Sequence, residues 1–389
     1  MKTSRGLEVR TETPSSPEEA AEVMRTLGES GTALRPRGGG TKFGWGEPTE
    51  VGAIVSTEVM SGIRDYNAPD MTAVLGAGTP LAFAQREFAS SGQMLALDPP
   101  LGDAEAATIG GIVASNDSGP LRHRYRSARD LVLGMTIALS DGTLSRSGSR
   151  VIKNVAGYDL AKLFTGSFGT LGLIVELIVR LHPLPPRTVT VVGDSDDVSA
   201  LQEAVLALSN ASLEIEALDV SWQSGHGRAL ARFGGVAPEA QADVAHDLME
   251  NAGLVATRHD DDDVLWKGQR DAQRAGPNEI SVKVSALPAD LERVIGVTER
   301  RRGSLVGRAG LGLFWVRLPL GGDVPGTVAR VRTELGRASL HCVLLDGAVG
   351  SPAEVWGDVD AGTLGVMRAV KSRFDPAGVC APGLFVGGI

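Results

Sequence analysis

The run Pro36-Arg37-Gly38-Gly39-Gly40-Thr41-Lys42 holds the residues best suited to chemistry on an anion. Three consecutive glycines let a backbone turn through positive φ and come close to a ligand, presenting several N–H groups to one charge. Arg37 and Lys42 add positive charge on either side. Such a cradle suits a phosphate or pyrophosphate, although a triple glycine by itself also makes an ordinary surface turn.

Two further glycine-rich segments keep it company. In Ala107 to Pro120 (ATIGGIVASNDSGP), Gly110-Gly111 leading into Ile112-Val113-Ala114 predicts a short helix whose N-terminal N–H groups face a polar ligand. In the third, Lys153-Asn154-Val155-Ala156-Gly157-Tyr158-Asp159 precedes Gly166-Ser167-Phe168-Gly169-Thr170-Leu171-Gly172, a turn on which the chain can pass close to a flat ligand. Each segment adjoins an apolar strand pattern, so the three are expected to converge on one elongated cofactor.

The elements that must position them follow from periodicity. Ser16-Pro17-Glu18-Glu19 caps a helix carrying Ala20, Val23, Met24 and Leu27, and Ala33 to Pro36 reads as the strand that delivers the glycine loop. Ala53 to Ser56, Thr72 to Leu75 and Leu173 to Leu181 read as further strands, with a helix from Leu81 to Ser91. Pro183-Leu184-Pro185-Pro186 marks a boundary. Beyond it, strands at 189–192, 217–222, 229–233, 280–284 and 313–317 alternate with helices at 197–208, 238–252 and 289–301. That order predicts an antiparallel, ferredoxin-like sheet with helices on one face. A helix over 361–370 follows.

The domains expected are therefore 1–184, in two lobes meeting near residue 58, then 185–345 as a cap, and 346–389 as a tail. A length of 389 residues supports two or three domains. With 47 acidic against 38 basic residues and a net charge of -9, no chain-wide basic footprint invites nucleic acid or an anionic membrane. Two cysteines, Cys342 and Cys380, are too few for an iron–sulfur cluster or a four-cysteine zinc site, so any such centre belongs to another chain, and no metal site is expected here. The first residues lack the apolar core of a signal peptide and no apolar run is long enough to cross a bilayer, which predicts a cytoplasmic protein, with membrane contact at most peripheral and through a partner.

The trio PRGGGTK, ATIGGIVASNDSGP and KNVAGYDLAKLFTGSFGTLGLIVE resembles the FAD-binding domain of the vanillyl-alcohol oxidase and para-cresol methylhydroxylase (PCMH) superfamily. Within it, KNVAGYD followed by GSFGTLG, and the closing RFDPAGVCAPG, are most similar to the FAD-binding E subunits of bacterial glycolate oxidases. The resemblance implies an α+β, PCMH-type two-lobed FAD-binding domain, a cap, and a C-terminal tail that returns to close the flavin pocket. It also implies that Arg37, Gly38, Gly39, Gly40, Thr41 and Lys42 hold the pyrophosphate. Thr108, Gly110, Gly111, Ser115 and Gly119 would form the second phosphate and flavin-side segment, and Gly166, Thr170, Gly172 and Ile174 the turn and strand passing the isoalloxazine and adenine ends. Relatives with covalent flavin commonly carry a histidine just after the loop glycines; Thr41 stands there, so noncovalent FAD is expected. No G-x-G-x-x-G with an acidic follow-up is present to favour NAD.

Relatives that oxidise D-2-hydroxy acids carry an H-A-G-D-G-N-x-H stretch, matched here by Arg308-Ala309-Gly310-Leu311-Gly312-Leu313-Phe314-Trp315. Both histidines are replaced. Arg308 can grip a carboxylate bidentately, but its guanidinium cannot take a proton at neutral pH. The expectation is a flavin-bearing subunit that works with a catalytic FAD-containing subunit and an iron–sulfur subunit on glycolate or a related 2-hydroxy acid. An autonomous hydroxy acid or alcohol dehydrogenase and a structural subunit without redox function stay open. Arg308 and Tyr158 are the weak catalytic candidates, Tyr158 equally suited to a structural hydrogen bond. The run His259 to Asp263 reads as solvated charge, Arg300 to Arg302 as a helix end, His341-Cys342 as part of a strand, and Cys380 as a packed residue.

Overall fold

The computed structural model describes residues 9–148, 160–336, 341–347 and 354–389. Tyr158, with the rest of 153–159, lies outside them.

The first part of the chain builds two main sheets, besides a two-residue pairing of Gln93–Met94 with His182–Pro183. Arg10–Glu12, Ala53–Ser56 and Leu34–Arg37 form a small parallel sheet in that order. The helix Pro17–Glu29 starts at Ser16, whose hydroxyl accepts from the Glu19 N–H, and its Met24 and Leu27 pack on these strands. The second sheet is antiparallel and five-stranded, ordered Ile63–Asn67, Thr72–Gly76, Leu173–Arg180, Val132–Ala138, Leu144–Gly148. Leu173 and Val175 reach back into the core of the small sheet, so the two sheets share apolar packing. The strand ending at Arg37 releases the glycine loop between them, as its position in the sequence predicts.

From Val189 onward one antiparallel sheet of eight strands takes over. Its order is Val255–His259, Val189–Ser195, His226–Phe233, Ile215–Gln223, Ser304–Arg308, Leu313–Pro319, Glu279–Ser285, His341–Asp346. The helices Val198–Asn210, Pro238–Asn251, Leu291–Glu299 and Val324–Leu335 bury one face of it in the largest core of the molecule, with Leu218, Val220, Val282, Val284, Phe314 and Val316 beneath them.

One expectation needs correction: the helices do not all lie on one face. Asp263–Asp271 is a helix on the opposite face, where Trp266 packs on Val192, Ala217 and Leu230, and its indole N–H donates to Thr190 Oγ1 at 2.9 Å. The charge run before it is not simply solvated either. Asp262 is buried and accepts from Thr190 Oγ1 (2.7 Å) and Arg232 Nη2 (3.0 Å). A run of consecutive acids hid one side chain that the fold turns inward.

The tail comes back to the first part. The helix Ala361–Phe374 leads to Asp375, and Lys371 Nζ donates to the carbonyls of Thr170 and Cys380 and to Asp375 (2.7, 2.7 and 2.6 Å). The Leu34 N–H donates to the Val379 carbonyl and the Ala381 N–H to that of Leu34, which ties the tail to the strand feeding the glycine loop.

Candidate functional site

A groove runs between the two sheets of the first part. It is partly open to solvent, and its empty space, open solvent included, is about 790 Å³. All three glycine-rich segments reach it: Arg37 to Lys42; Thr108, Gly110, Gly111 and Ser115; and Gly172 with Ile174. The pre-loop strand and the loop end (Arg35, Pro36, Phe43), Thr57, Ala77, Phe168, Gly169 and Leu384 of the tail also line it. Of this second group, Pro36, Phe168 and Gly169 lay inside the glycine-rich runs singled out in the sequence without being assigned a cofactor role, and the others stood outside them. Pro36 and Phe43 flank the glycines and were within reach of the argument; Thr57 and Leu384 arrive through tertiary folding.

The loop is built for an anion by its backbone. Among the described residues, no N–H of Gly38, Gly39, Gly40, Thr41 or Lys42 donates a hydrogen bond within the protein. These residues are exposed or half-buried, so their amides can turn to solvent or to a ligand, and a row of them beside a groove suits a polyanionic group. Two requirements explain the glycines. A Cβ on Gly39 would run into the Ala106 carbonyl, and Gly40 has φ +74°, a conformation that L side chains rarely adopt.

The second segment serves differently from its expectation. The helix Ile109–Ser115 does form behind Thr108, which accepts from the Gly111 N–H at 3.3 Å. Its leading amides are already used: Ile109 N–H donates to the Thr79 carbonyl and Gly110 N–H to that of Ala77, both at 2.9 Å. The helix therefore gives the groove a wall of small residues, not an N-terminal anion hole. It is sewn to the third segment, because the Gly166 and Phe168 N–H groups donate to the Val113 and Ala114 carbonyls.

Three expected cofactor residues stand back from the groove lining. Gly119 packs on Asp98, Gly166 sits beside Asn116, and Thr170 Oγ1 donates to the Ser167 carbonyl while its own carbonyl accepts from Lys371. Their positions support the lining; they do not form it.

Beyond Ser115 the site becomes ionic. Lys42 Nζ lies 3.1 Å from Asp117 Oδ2, with both side chains buried. Arg308 is wholly buried (0% exposed), as is Asp219, with Nε 3.9 Å from Oδ1, an ion pair without a hydrogen bond. Arg308 also covers the Trp315 ring at 4.5 Å. Taking the Gln273 amide in the orientation that satisfies its neighbours, its nitrogen donates to the Ser118 carbonyl (3.1 Å) and its oxygen accepts from Arg308 Nη1 (3.2 Å). Burial pushes the Asp219 carboxyl up to about 7 against the pull of Arg308, and that of Asp98 up to about 6 against Arg270. Among the described residues no group of three or more His, Cys, Asp or Glu side chains is placed to hold a metal ion.

Residues 11–148 match the family model described as FAD binding domain. The whole described architecture superposes on alkyldihydroxyacetonephosphate synthase with a TM-score of 0.70 at 15% identity, covering 96% of this chain and 75% of that one, a likeness of fold. The family match indicates FAD as the cofactor, and the groove where the three glycine-rich segments meet is lined largely from the same part of the chain.

Among curated proteins the chain is 35% identical over 183 residues to glycolate oxidase subunit GlcE of Escherichia coli, covering 47% of this chain and 51% of that one. It is 32% identical over 193 residues to glycolate oxidase subunit GlcD of Bacillus subtilis (49% and 41%). Against D-2-hydroxyglutarate dehydrogenase of Xanthomonas citri it is 29% identical over 310 residues (72% and 65%). The chain spans about half the length of most such relatives. Among the described residues no helix is long and apolar enough to cross a membrane.

Proposed function

We propose that this chain is the flavin-bearing subunit of a glycolate oxidase-like complex, an FAD-dependent oxidoreductase that acts on glycolate or a related 2-hydroxy acid. The observation that carries the reading is the row of free amides from Gly38 to Lys42 at the head of a groove lined by all three glycine-rich segments. Those amides, with Arg37, would hold the FAD pyrophosphate. Ile112, Ala114 and Ile174 offer apolar wall to the rest of the cofactor. Bound FAD supplies two-electron oxidation of an alcohol by its own electronics. The chain's part is to bind it, exclude water and set the charge around it. Thr41 offers no nucleophilic ring for a covalent link, so the cofactor is dissociable.

Residues 1–184 are the flavin-binding part in this reading, 185–345 the cap and 346–389 the returning tail. The partners are a catalytic FAD-containing subunit and an iron–sulfur subunit, since two cysteines cannot ligate a cluster. The eight-stranded sheet presents buried Arg308 and Asp219 toward the first part, which favours a second reading in which this chain turns over a hydroxy acid by itself.

Purifying the chain alone, releasing its flavin with acid and adding glycolate without oxygen separates these. Released FAD without bleaching supports the partner-dependent subunit. Bleaching establishes the autonomous enzyme. A colourless chain that cannot be reconstituted with FAD overturns both and leaves a structural subunit.

A further inference from the structure

The far end of the glycine loop is not held by the first part of the chain alone. Two tight turns close it: the Phe43 N–H donates to the Gly40 carbonyl and the Trp45 N–H to that of Lys42, both at 3.0 Å. Arg35 Nη2 donates to the Trp45 carbonyl at 3.0 Å, and its guanidinium covers the Phe43 ring at 4.2 Å. The remaining contacts reach across to the eight-stranded sheet. Trp45 is 3% exposed and clusters with Val306, Trp315 and Leu345, which come from three strands of that sheet. Its indole N–H donates to Asp346 Oδ1 at 2.9 Å.

Asp346, at the end of its strand, gathers these contacts. Arg274 grips it bidentately, Nε to Oδ2 at 2.8 Å and Nη2 to Oδ1 at 2.9 Å, and the Ala275 N–H donates to Oδ2 at 3.2 Å. One arm of the guanidinium is left, and Nη1 donates to the Thr41 carbonyl at 3.0 Å. A trans peptide points its C=O and N–H in opposite directions, so holding the Thr41 carbonyl toward Arg274 turns the Lys42 N–H away from it. Lys42 lines the groove, and among the described residues its N–H has no acceptor in the protein. A guanidinium fixed by the carboxylate that also fixes Trp45 thus sets the plane of a cradle peptide from outside the two sheets that form the groove.

We propose that Arg274, fixed by Asp346, is a positioning residue for the cofactor: the eight-stranded side of the molecule holds the Thr41–Lys42 peptide in the orientation that binds the FAD pyrophosphate. The inference rests on the reading above that the amides of Gly38 to Lys42 hold that pyrophosphate. A loop already ordered loses less conformational freedom when its ligand arrives, so this latch raises affinity as well as joining the two parts of the chain. A contact that only packed the junction would change stability and leave affinity alone.

The test is titration of the flavin-free chain with FAD, followed by flavin fluorescence, beside its urea unfolding and its amide hydrogen exchange. Arg274→Met weakens FAD binding by about tenfold or more. Arg274→Lys keeps the charge beside Asp346 but not the fork, and weakens it by about threefold; should Arg274→Met fail to fold, Arg274→Lys carries the comparison. Arg232→Met is the control, because Arg232 bonds to Asp262 and Thr188 within its own part of the fold. It lowers stability in urea and leaves FAD affinity within about twofold of the parent chain. In the flavin-free chain, Arg274→Met speeds exchange at the Phe43 and Trp45 amides by about tenfold. FAD affinity that falls no further in the Arg274 variants than in Arg232→Met, or unchanged exchange at Phe43 and Trp45, overturns the latch and leaves the functional reading standing. Bleaching of the isolated chain by glycolate overturns the partner-dependent reading and leaves the latch standing. A parent chain that binds no FAD overturns both.

Discussion

Between Gly38 and Lys42 the groups that face the groove belong to the backbone; on the inner face of the eight-stranded sheet they are side chains drawn from several strands. The loop needs residues with nothing attached, because a Cβ on Gly39 would collide with Ala106. The sheet face needs long charged side chains in a fixed register, held by Trp315 and Gln273. In the proposed reading the first arrangement would recognise a constant part of a cofactor, and it tolerates few substitutions. The second is set by a handful of exchangeable side chains, which makes it the place where specificity can change without loss of the fold.

If that contrast holds, the largest effect belongs to Gly39→Ala. The clash is with main chain, which cannot swing away, and FAD affinity should fall by two orders of magnitude or more, read by flavin fluorescence on dialysis. Gly111→Ala, whose Cβ would meet only Thr108 Oγ1 at 3.2 Å, should retain FAD within a few-fold. Equal losses in the two would erase the distinction between a backbone cradle and a side-chain wall.

Lys42→Met comes next, since it strands a buried Asp117 without its counter-ion and should cost about 3–5 kcal/mol in urea unfolding. Lys42→Met combined with Asp117→Asn should recover most of that. On the sheet face, Arg308→Lys should cost about 1–3 kcal/mol, because an ammonium cannot reproduce the forked contact with Gln273 and the stacking on Trp315.

The same sheet face also carries a pH dependence. Asp219 titrates near 7 in the folded chain and near 4 when unfolded, so folding opposes its ionisation. Its contribution to stability is full below about pH 4, declines as pH rises to about 7 and is flat above. Asp219→Asn should therefore gain on the parent chain in melting temperature across that interval, with no further gain at higher pH.

These two regions were not equally legible beforehand. Glycine has one dominant physical meaning, freedom and room, so Gly38-Gly39-Gly40 announces a close approach from sequence alone. The helix behind Thr108 was legible as a helix, yet its amides went to Ala77 and Thr79, partners that only the fold brings near. Lys283 and Asp219 carried a weaker signal, a charge inside an apolar strand, as in Ser281-Val282-Lys283-Val284 and Leu218-Asp219-Val220. Their alternation marks one face as polar without saying that the face meets Ser118. Asp262 was lost in a run of acids for the same reason: composition names the charge, and register decides whether it is buried.

The clasp made by Lys371 also bears on how the protein is made. Every glycine of the cradle leaves the ribosome before the eight-stranded sheet exists, but Leu384 and the Lys371 contacts to Thr170 and Cys380 come after it. The groove gains Leu384 only when these late residues fold back onto Leu34, so its lining joins stretches of chain that the eight-stranded sheet separates in sequence.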